Sequence, residues 1–195
     1  TSAAWRPSTA ELACSVDARH CSSESIMFSM VATTAARASA TCRCVSADGS
    51  VDGSYTSLTD ALASLPSDSS TQVIFMYAGT YNEQVPSISR SGPVMIIGYT
   101  ESAPGKTYTA NQVIITQAKG LSVSPPPVGH SNAETATIAT GGTGKIAMYN
   151  IDIINSENLD GATANYVTLA ASIYGNKIGF YGCSMIGWQD TLLTG

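Results

Sequence analysis

From Val45 onward the apolar residues fall into short runs, and their period changes once. In the segment 54–66, Leu58, Ala61, Leu62 and Leu65 recur at i, i+3, i+4 and i+7, which predicts one short helix that Pro66 ends. Beyond it the segments 73–77, 94–97, 113–115, 145–149, 151–154, 167–169 and 177–180 are rich in β-branched and aromatic residues. Gly, Pro, Asn and Ser clusters separate them, so they read as strands. No helical pattern intervenes, which disfavours a doubly wound α/β sheet. Two all-β architectures compete: a sandwich and a right-handed parallel β-helix, a single-stranded solenoid. Short strands broken at irregular intervals favour the β-helix, and the helix before them would be its N-terminal cap. The lack of a fixed repeat keeps the sandwich open.

Residues 1–44 have a different texture, rich in Ala, Ser, Thr and Cys without periodicity. They are expected to form a poorly ordered leader. The alternative is a signal-like segment, with Met27 to Ala32 as its apolar part and Ala38-Ser39-Ala40 as a small-residue site. The domain proper is expected over 45–195.

Composition narrows the function. Of the 195 residues 12% are charged and 44% hydrophobic, which does not fit a disordered chain. The net charge is −5 and no Lys/Arg cluster occurs, so nucleic acid, which demands a basic footprint, is excluded as a partner. No apolar run reaches membrane-spanning length. Few charges and many hydroxyls suit a secreted protein. The cysteines Cys14, Cys21, Cys42, Cys44 and Cys183 are odd in number and lack zinc-site spacing, so no metal is expected and they read as structural or incidental.

The densest chemistry is Gln189-Asp190, after an apolar stretch and near the C-terminus. A carboxylic acid in a half-dry groove gains proton affinity and serves as a general acid, and a neighbouring carboxamide N–H stabilises an oxyanion. The competing account is a turn in which Asp190 accepts backbone N–H bonds. A second pattern, Gly129-His130-Ser131-Asn132-Ala133, has the look of a serine-esterase elbow. Val123-Ser124-Pro125-Pro126-Pro127 precedes it where a strand is needed, and no histidine follows His130, so that route is closed.

Several blocks, in order, resemble the pectin methylesterases, the fungal branch in particular. Gly79-Thr80-Tyr81-Asn82-Glu83 matches a Gly-x-Tyr-x-Glu motif. Tyr149 to Asn155 resembles the middle coils, and Ala171 to Lys177 followed by Phe180-Tyr181-Gly182-Cys183 resembles a third block. Gly187-Trp188-Gln189-Asp190-Thr191-Leu192 matches the Gly-Tyr-Gln-Asp-Thr signature with Trp for Tyr. The resemblance runs from about Ala35 to the last residue.

It implies a right-handed parallel β-helix that removes methyl groups from esterified polygalacturonate, outside the cell and without cofactor or metal. One aspartate attacks the ester carbonyl to give an acyl-enzyme, a second moves protons to methanol and from water, and two glutamines bracket the oxyanion. By motif Asp190 is the acid/base and Gln189 one glutamine. Trp188, Tyr166 and Asn132 are the candidate sugar-binding residues.

Departures are as informative. Counting back from Gln189, the place of the other glutamine falls on Val167, which cannot donate; loss of one such donor costs about 10²–10³ in turnover. The nucleophilic aspartate and its arginine would lie on coils after Gly195, and Asp152 and Asp160 cannot take that role. The chain is therefore expected to be weak or inactive alone, and to self-associate through the open edge of its last coil. Two alternatives remain: a non-catalytic pectin-binding β-helix and a purely structural solenoid.

Overall fold

The computed structural model describes residues 41–122 and 130–195. The chain enters as β1 (Thr41–Val45) and α1 (Leu58–Ala63), then winds four coils. The first coil holds β2 (Gln72–Met76), β3 (Gly79–Asn82) and β4 (Val85–Ile88). The second holds β5 (Val94–Gly98), β6 (Val113–Gln117), β7 (Leu121–Ser122), a 3-10 turn at Asn132–Thr135 and β8 (Ile138–Thr140). The third holds β9 (Lys145–Tyr149), β10 (Ile151–Asn155), β11 (Tyr166–Val167) and β12 (Ala171–Ile173). The fourth holds β13 (Lys177–Tyr181), β14 (Ser184–Ile186) and β15 (Leu192–Thr194).

Strands stack coil on coil into three sheets, ordered β1-β2-β5-β9-β13, β3-β6-β10-β14 and β4-β8-β12-β15. Every strand pair in them is parallel, while the ribbon β7–β11 is antiparallel. A sandwich of hairpins would require antiparallel sheets, so the parallel β-helix stands and the sandwich falls.

Register explains the core. Ile74, Ile96, Met148 and Phe180 lie one above another in the first sheet, as do Tyr81, Ile115, Ile153 and Met185 in the second. In the third, Val85, Ile138, Ala171 and Leu192 do the same. These rungs are buried in the first three coils. In the fourth, Phe180 and Met185 are half-buried and Leu192 is 51% exposed, so that end of the core faces solvent.

The other end is closed. Helix α1 touches β1 and β4 and buries Leu58 and Ala61 in the core, which makes it the expected cap. Ser57 caps its N-terminus, accepting from Asp60 N–H. Glu83, from the Gly-x-Tyr-x-Glu block, adds a cross-chain clamp: its carboxylate accepts from Leu58 N–H (2.8 Å), Thr59 N–H (2.9 Å) and the Thr59 hydroxyl (2.6 Å). Tyr81 of the same block is buried, with its hydroxyl within donating distance of Val45 O and Tyr77 O. The motif thus ties the lid and the first strand to the first coil.

The first strand begins at Thr41, inside the segment expected to be leader; the signal-like stretch 27–40 lies outside the described residues. Cys44 on that strand is disulfide-bonded. Cys183, expected as a buried hydrophobe, is half-buried against the core, with its thiol directed at Met148 O and pushed up in pKa by burial.

Candidate active site

The Gln189-Asp190 pair sits on a turn of the fourth coil between β14 and β15, and hydroxyl groups build that turn. Trp188 N–H donates to Thr168 Oγ1 (2.9 Å), and Thr168 N–H donates to Gln189 O (3.2 Å). The Thr191 hydroxyl lies 2.9 Å from Gly187 O and 3.1 Å from Trp188 O, while Thr191 O accepts from Ala170 and Ala171 N–H. Gly187 allows the close approach: a Cβ there would stand 2.4 Å from Thr168 O. Asp190 adopts φ 61°, a left-handed conformation that Asp tolerates better than most residues.

With the backbone held this way, the side chains of Gln189 and Asp190 have no hydrogen-bond partner among the described residues. Gln189 is half-buried and Asp190 exposed. The account in which Asp190 caps its own turn therefore does not describe this geometry. Both groups stand ready for an external partner.

Beneath Gln189 lies Val167, paired with it in a parallel bridge and fully buried. Counting back along the sequence reached the same position. Val167 packs with Ala136 and Leu169 against Leu193, so this step of the wall is apolar. Tyr166, the neighbouring residue on β11, pairs with Ser122 and lays its ring on Gly120, where a Cβ would fall 2.0 Å from a ring carbon. Asn132 opens the 3-10 turn and is half-buried; its carbonyl accepts from the Thr135 hydroxyl. Thr135 in turn accepts from Leu169 N–H, so Asn132 joins the wall through Thr135 and makes no hydrogen bond with the Gln189-Asp190 turn among the described residues.

One buried amide braces this region. Asn155 Nδ2 donates to Lys119 O (2.8 Å), Thr135 O (2.8 Å) and Leu169 O (3.1 Å), and its Oδ1 accepts from Lys119 and Glu157 N–H. A fully satisfied buried amide rigidifies rather than destabilises its surroundings.

Trp188 is 45% exposed. Its ring rests on Gly161, where a Cβ would come 2.5 Å from the indole; Gly161 also has φ 69°. Gly161 belongs to a turn closed by Asn158, whose side chain donates to Thr163 O (2.9 Å) and accepts from Thr163 N–H (2.8 Å).

The remaining charged groups serve structure. Asp152 accepts from Asn111 Nδ2 and the Ser184 hydroxyl, and Asp160 from Ala162 N–H. Arg90 holds the carbonyls of Pro66, Asp68, Ser70 and Pro93, and Arg43 bonds Ser64, both toward the capped end. His130 pairs with Glu134 at 2.9 Å on the surface, and that contact lowers the Glu134 pKa. A separate open groove of about 360 Å³ runs past Asn82, Gln84, Thr116, Gln117 and Ser156. Its glutamines are engaged: Gln84 donates to Glu134 O and Ala136 O, and Gln117 to Thr135 O. Thr168 and Gly161 escaped sequence reasoning because their roles are tertiary, against the next coil and under the Trp188 ring; Thr191 and Asn158 act locally, and the Asn-Leu-Asp-Gly composition at 158–161 is turn chemistry.

The described residues thus form a parallel β-helix that carries an amide and a carboxylate side by side on one surface turn. Comparison makes this specific. The Pectinesterase family model matches residues 43–195, and the chain belongs to that family. It is 38% identical to Pectinesterase A of Emericella nidulans over 157 residues, covering 80% of this chain and 43% of the relative. It is 35% identical to the pectinesterase of Aspergillus niger over 170 residues, covering 87% and 47%. The crystal structure of the Aspergillus niger pectin methylesterase superposes with a TM-score of 0.62 at 32% identity, over 83% of this chain and 47% of that one. A bacterial pectin methylesterase, from Erwinia chrysanthemi, shares the fold at 22% identity and a TM-score of 0.59. The chain thus spans less than half the length of these relatives.

Proposed function

We propose that this chain acts on methyl-esterified polygalacturonate as a carboxylic ester hydrolase, with Gln189 and Asp190 in the reacting centre. The observation that carries the reading is the hydroxyl-built turn, which leaves the amide and the carboxylate without partners among the described residues. Gln189 N–H donates to the ester carbonyl oxygen as it becomes tetrahedral and negative. Asp190 in its acid form gives a proton to the departing methoxyl oxygen, and as carboxylate takes one from the water that cleaves the acyl group. Tyr166, Trp188 and Asn132 are the residues assigned to contact the sugar. The nucleophile is not assigned to a described carboxylate, since Asp152 and Asp160 are engaged elsewhere.

Secretion fits the same reading. Cys44 is disulfide-bonded, and disulfides persist chiefly in oxidising compartments.

A second reading has its own observation. Val167, buried beneath Gln189, offers no donor to complete a two-amide oxyanion site, so binding of pectin without turnover is the alternative. Methanol release from highly methylated pectin, assayed for the wild type and Asp190→Asn, separates them. Release that the substitution abolishes supports hydrolysis. A folded, pectin-binding chain with no release would sink that reading and leave the binding one.

A further inference from the structure

Cys44 is disulfide-bonded, and its direction on β1 restricts where the other half-cystine lies. Successive residues of a strand face opposite ways. Val45 points into the core, in register with Met76, so Cys44 points outward, in register with Phe75. The bond therefore sits on the outer face of the first sheet. Of the four other cysteines, Cys42 lies two residues back on the same strand and faces the same way. Strand rise separates the two by about 6.7 Å, whereas a disulfide needs Cβ atoms about 4 Å apart. Cys183 keeps its thiol, which packs against the core and is directed at Met148 O. That leaves Cys14 and Cys21, both in the stretch 1–40 outside the described residues.

The face around Cys44 is apolar and covered. Val73 and Phe75 of β2, Met95 and Ile97 of β5, and Ala147 and Tyr149 of β9 form a cluster on it, apart from the core. None of the six is more than 9% exposed, although a sheet face left to water is ordinarily polar. The loop 99–112 covers one corner, where a Cβ at Gly105 would stand 3.1 Å from Tyr181 Cβ and 3.3 Å from Tyr149 Cδ1. Helix α1 is occupied at the end of the core. The Tyr77 ring meets Phe75 edge-on at 5.2 Å, and its hydroxyl is buried with no hydrogen-bond partner among the described residues. The stretch 1–40 offers apolar side chains for such a face: Ile26-Met27-Phe28 and Met30-Val31 start five residues after Cys21. Five residues of chain reach about 17 Å, enough to cross the three strand spacings from β1 to β9, about 14 Å.

We propose that residues 1–40 lie across the outer face of the first sheet and cover the cluster around Phe75, held by a disulfide from Cys44 to Cys14 or Cys21. The bond forms by exchange with a small disulfide such as oxidised glutathione. The two cysteines give up two protons and two electrons, and the small disulfide leaves as two thiols. The stretch expected as a leader thus belongs to the domain. Cleavage after Ala38-Ser39-Ala40 would not release it, because the bond spans the cut.

The test is peptide mapping of the full chain prepared under oxidising conditions. Trypsin puts four of the cysteines in separate peptides, residues 1–19, 20–37, 38–43 and 44–90. After free thiols are blocked, mass spectrometry should find 44–90 joined to 1–19 or 20–37, and reduction should part the pair. A 44–90 peptide joined to 38–43, to the Cys183 peptide or to a second copy of itself overturns the proposal, as does one blocked at Cys44. Docking is read separately, by trypsin acting on the native oxidised chain. Arg19 and Arg37 should be cut at least tenfold more slowly than in a synthetic peptide of residues 1–40, since a docked segment must leave the sheet before a protease can bind it. Equal rates overturn the cover even where the bond is found.

Discussion

Glu83 offers the sharpest test of how the solenoid is closed. Its carboxylate sits 25 residues from Leu58 in sequence and accepts three hydrogen bonds, at 2.6–2.9 Å, from the first turn of α1. Those donors have no intrahelical acceptor, and the positive end of the helix dipole favours an anion there. Hydrogen bonds to an ionised group are worth about 1.5–3 kcal/mol each before water competes for the donors. An ordinary exposed cap, where water competes fully, is worth about 0.5–2 kcal/mol. The Glu83 contacts are partly buried, so Glu83→Ala falls between a single cap and three full bonds, at about 3 kcal/mol. Glu83→Gln keeps one acceptor oxygen without charge and is expected to lose about 1–2 kcal/mol. Asp60→Ala removes only the exposed bond that the Ser57 hydroxyl donates to its carboxylate, leaves Asp60 N–H on Ser57, and should cost less than about 1 kcal/mol. Urea unfolding followed by far-ultraviolet circular dichroism gives these differences as midpoint shifts at constant slope. Hydrogen exchange at the Leu58 and Thr59 amides locates the effect. If Glu83→Ala leaves both the midpoint and the two amides unchanged, the clamp does not hold the lid and the reasoning is wrong.

Acid should act on a different spot. The Asp48 pKa is lowered to about 2, first by the Ser50 hydroxyl, then by Ser50 N–H and the Ser46 hydroxyl. A carboxyl held below its ordinary value stabilises the fold at higher pH and loses that contribution as pH falls through the folded value. The Tm difference between wild type and Asp48→Asn should therefore be constant above pH 5 or so and shrink between 3.8 and about 2. On the fourth coil, the exposed apolar side chains of Leu192 (51%) and Ile186 (42%) favour self-association through that face. Sedimentation velocity across a concentration series checks this; a single monomeric species throughout would refute it.

The sequence disclosed most where one physical signal acts alone. The helix showed through its 3.6 period, although only Leu58–Ala63 is helical once Tyr55 pairs with Val45 and Ser57 caps the turn. Four strands of the first sheet, β2, β5, β9 and β13, and the central strands of the second showed as β-branched or aromatic runs, while β1 lay in the segment read as leader. The third sheet stayed hidden: Val85–Ile88, Ile138–Thr140, Ala171–Ile173 and Leu192–Thr194 have three or four residues and too few inward side chains to make a pattern. Pro86 further disguised β4, which tolerates it as an edge strand. No period was visible because excursions enter at the corners, such as the loop 99–112 that Asn150 pins through Gly105, Thr107 and Asn111. In the site, Gln189-Asp190 was legible as a motif and Val167 by counting one coil back. Thr168 was not, since its hydroxyl acquires a role only when the next coil brings the Trp188 N–H to it.

That division of labour bears on how such a chain changes over generations. Thr168, Thr191 and Gly187 carry the shape of the turn, and the two groups proposed for chemistry carry none of it. Replacing Gln189 leaves those bonds in place, and so does Asp190→Asn, since Asn also tolerates the left-handed φ of 61°. If the proposed roles hold, a lineage with this architecture stands one substitution from losing its chemistry while its turn keeps its shape. Shape and reactivity are thus carried by different residues of one turn.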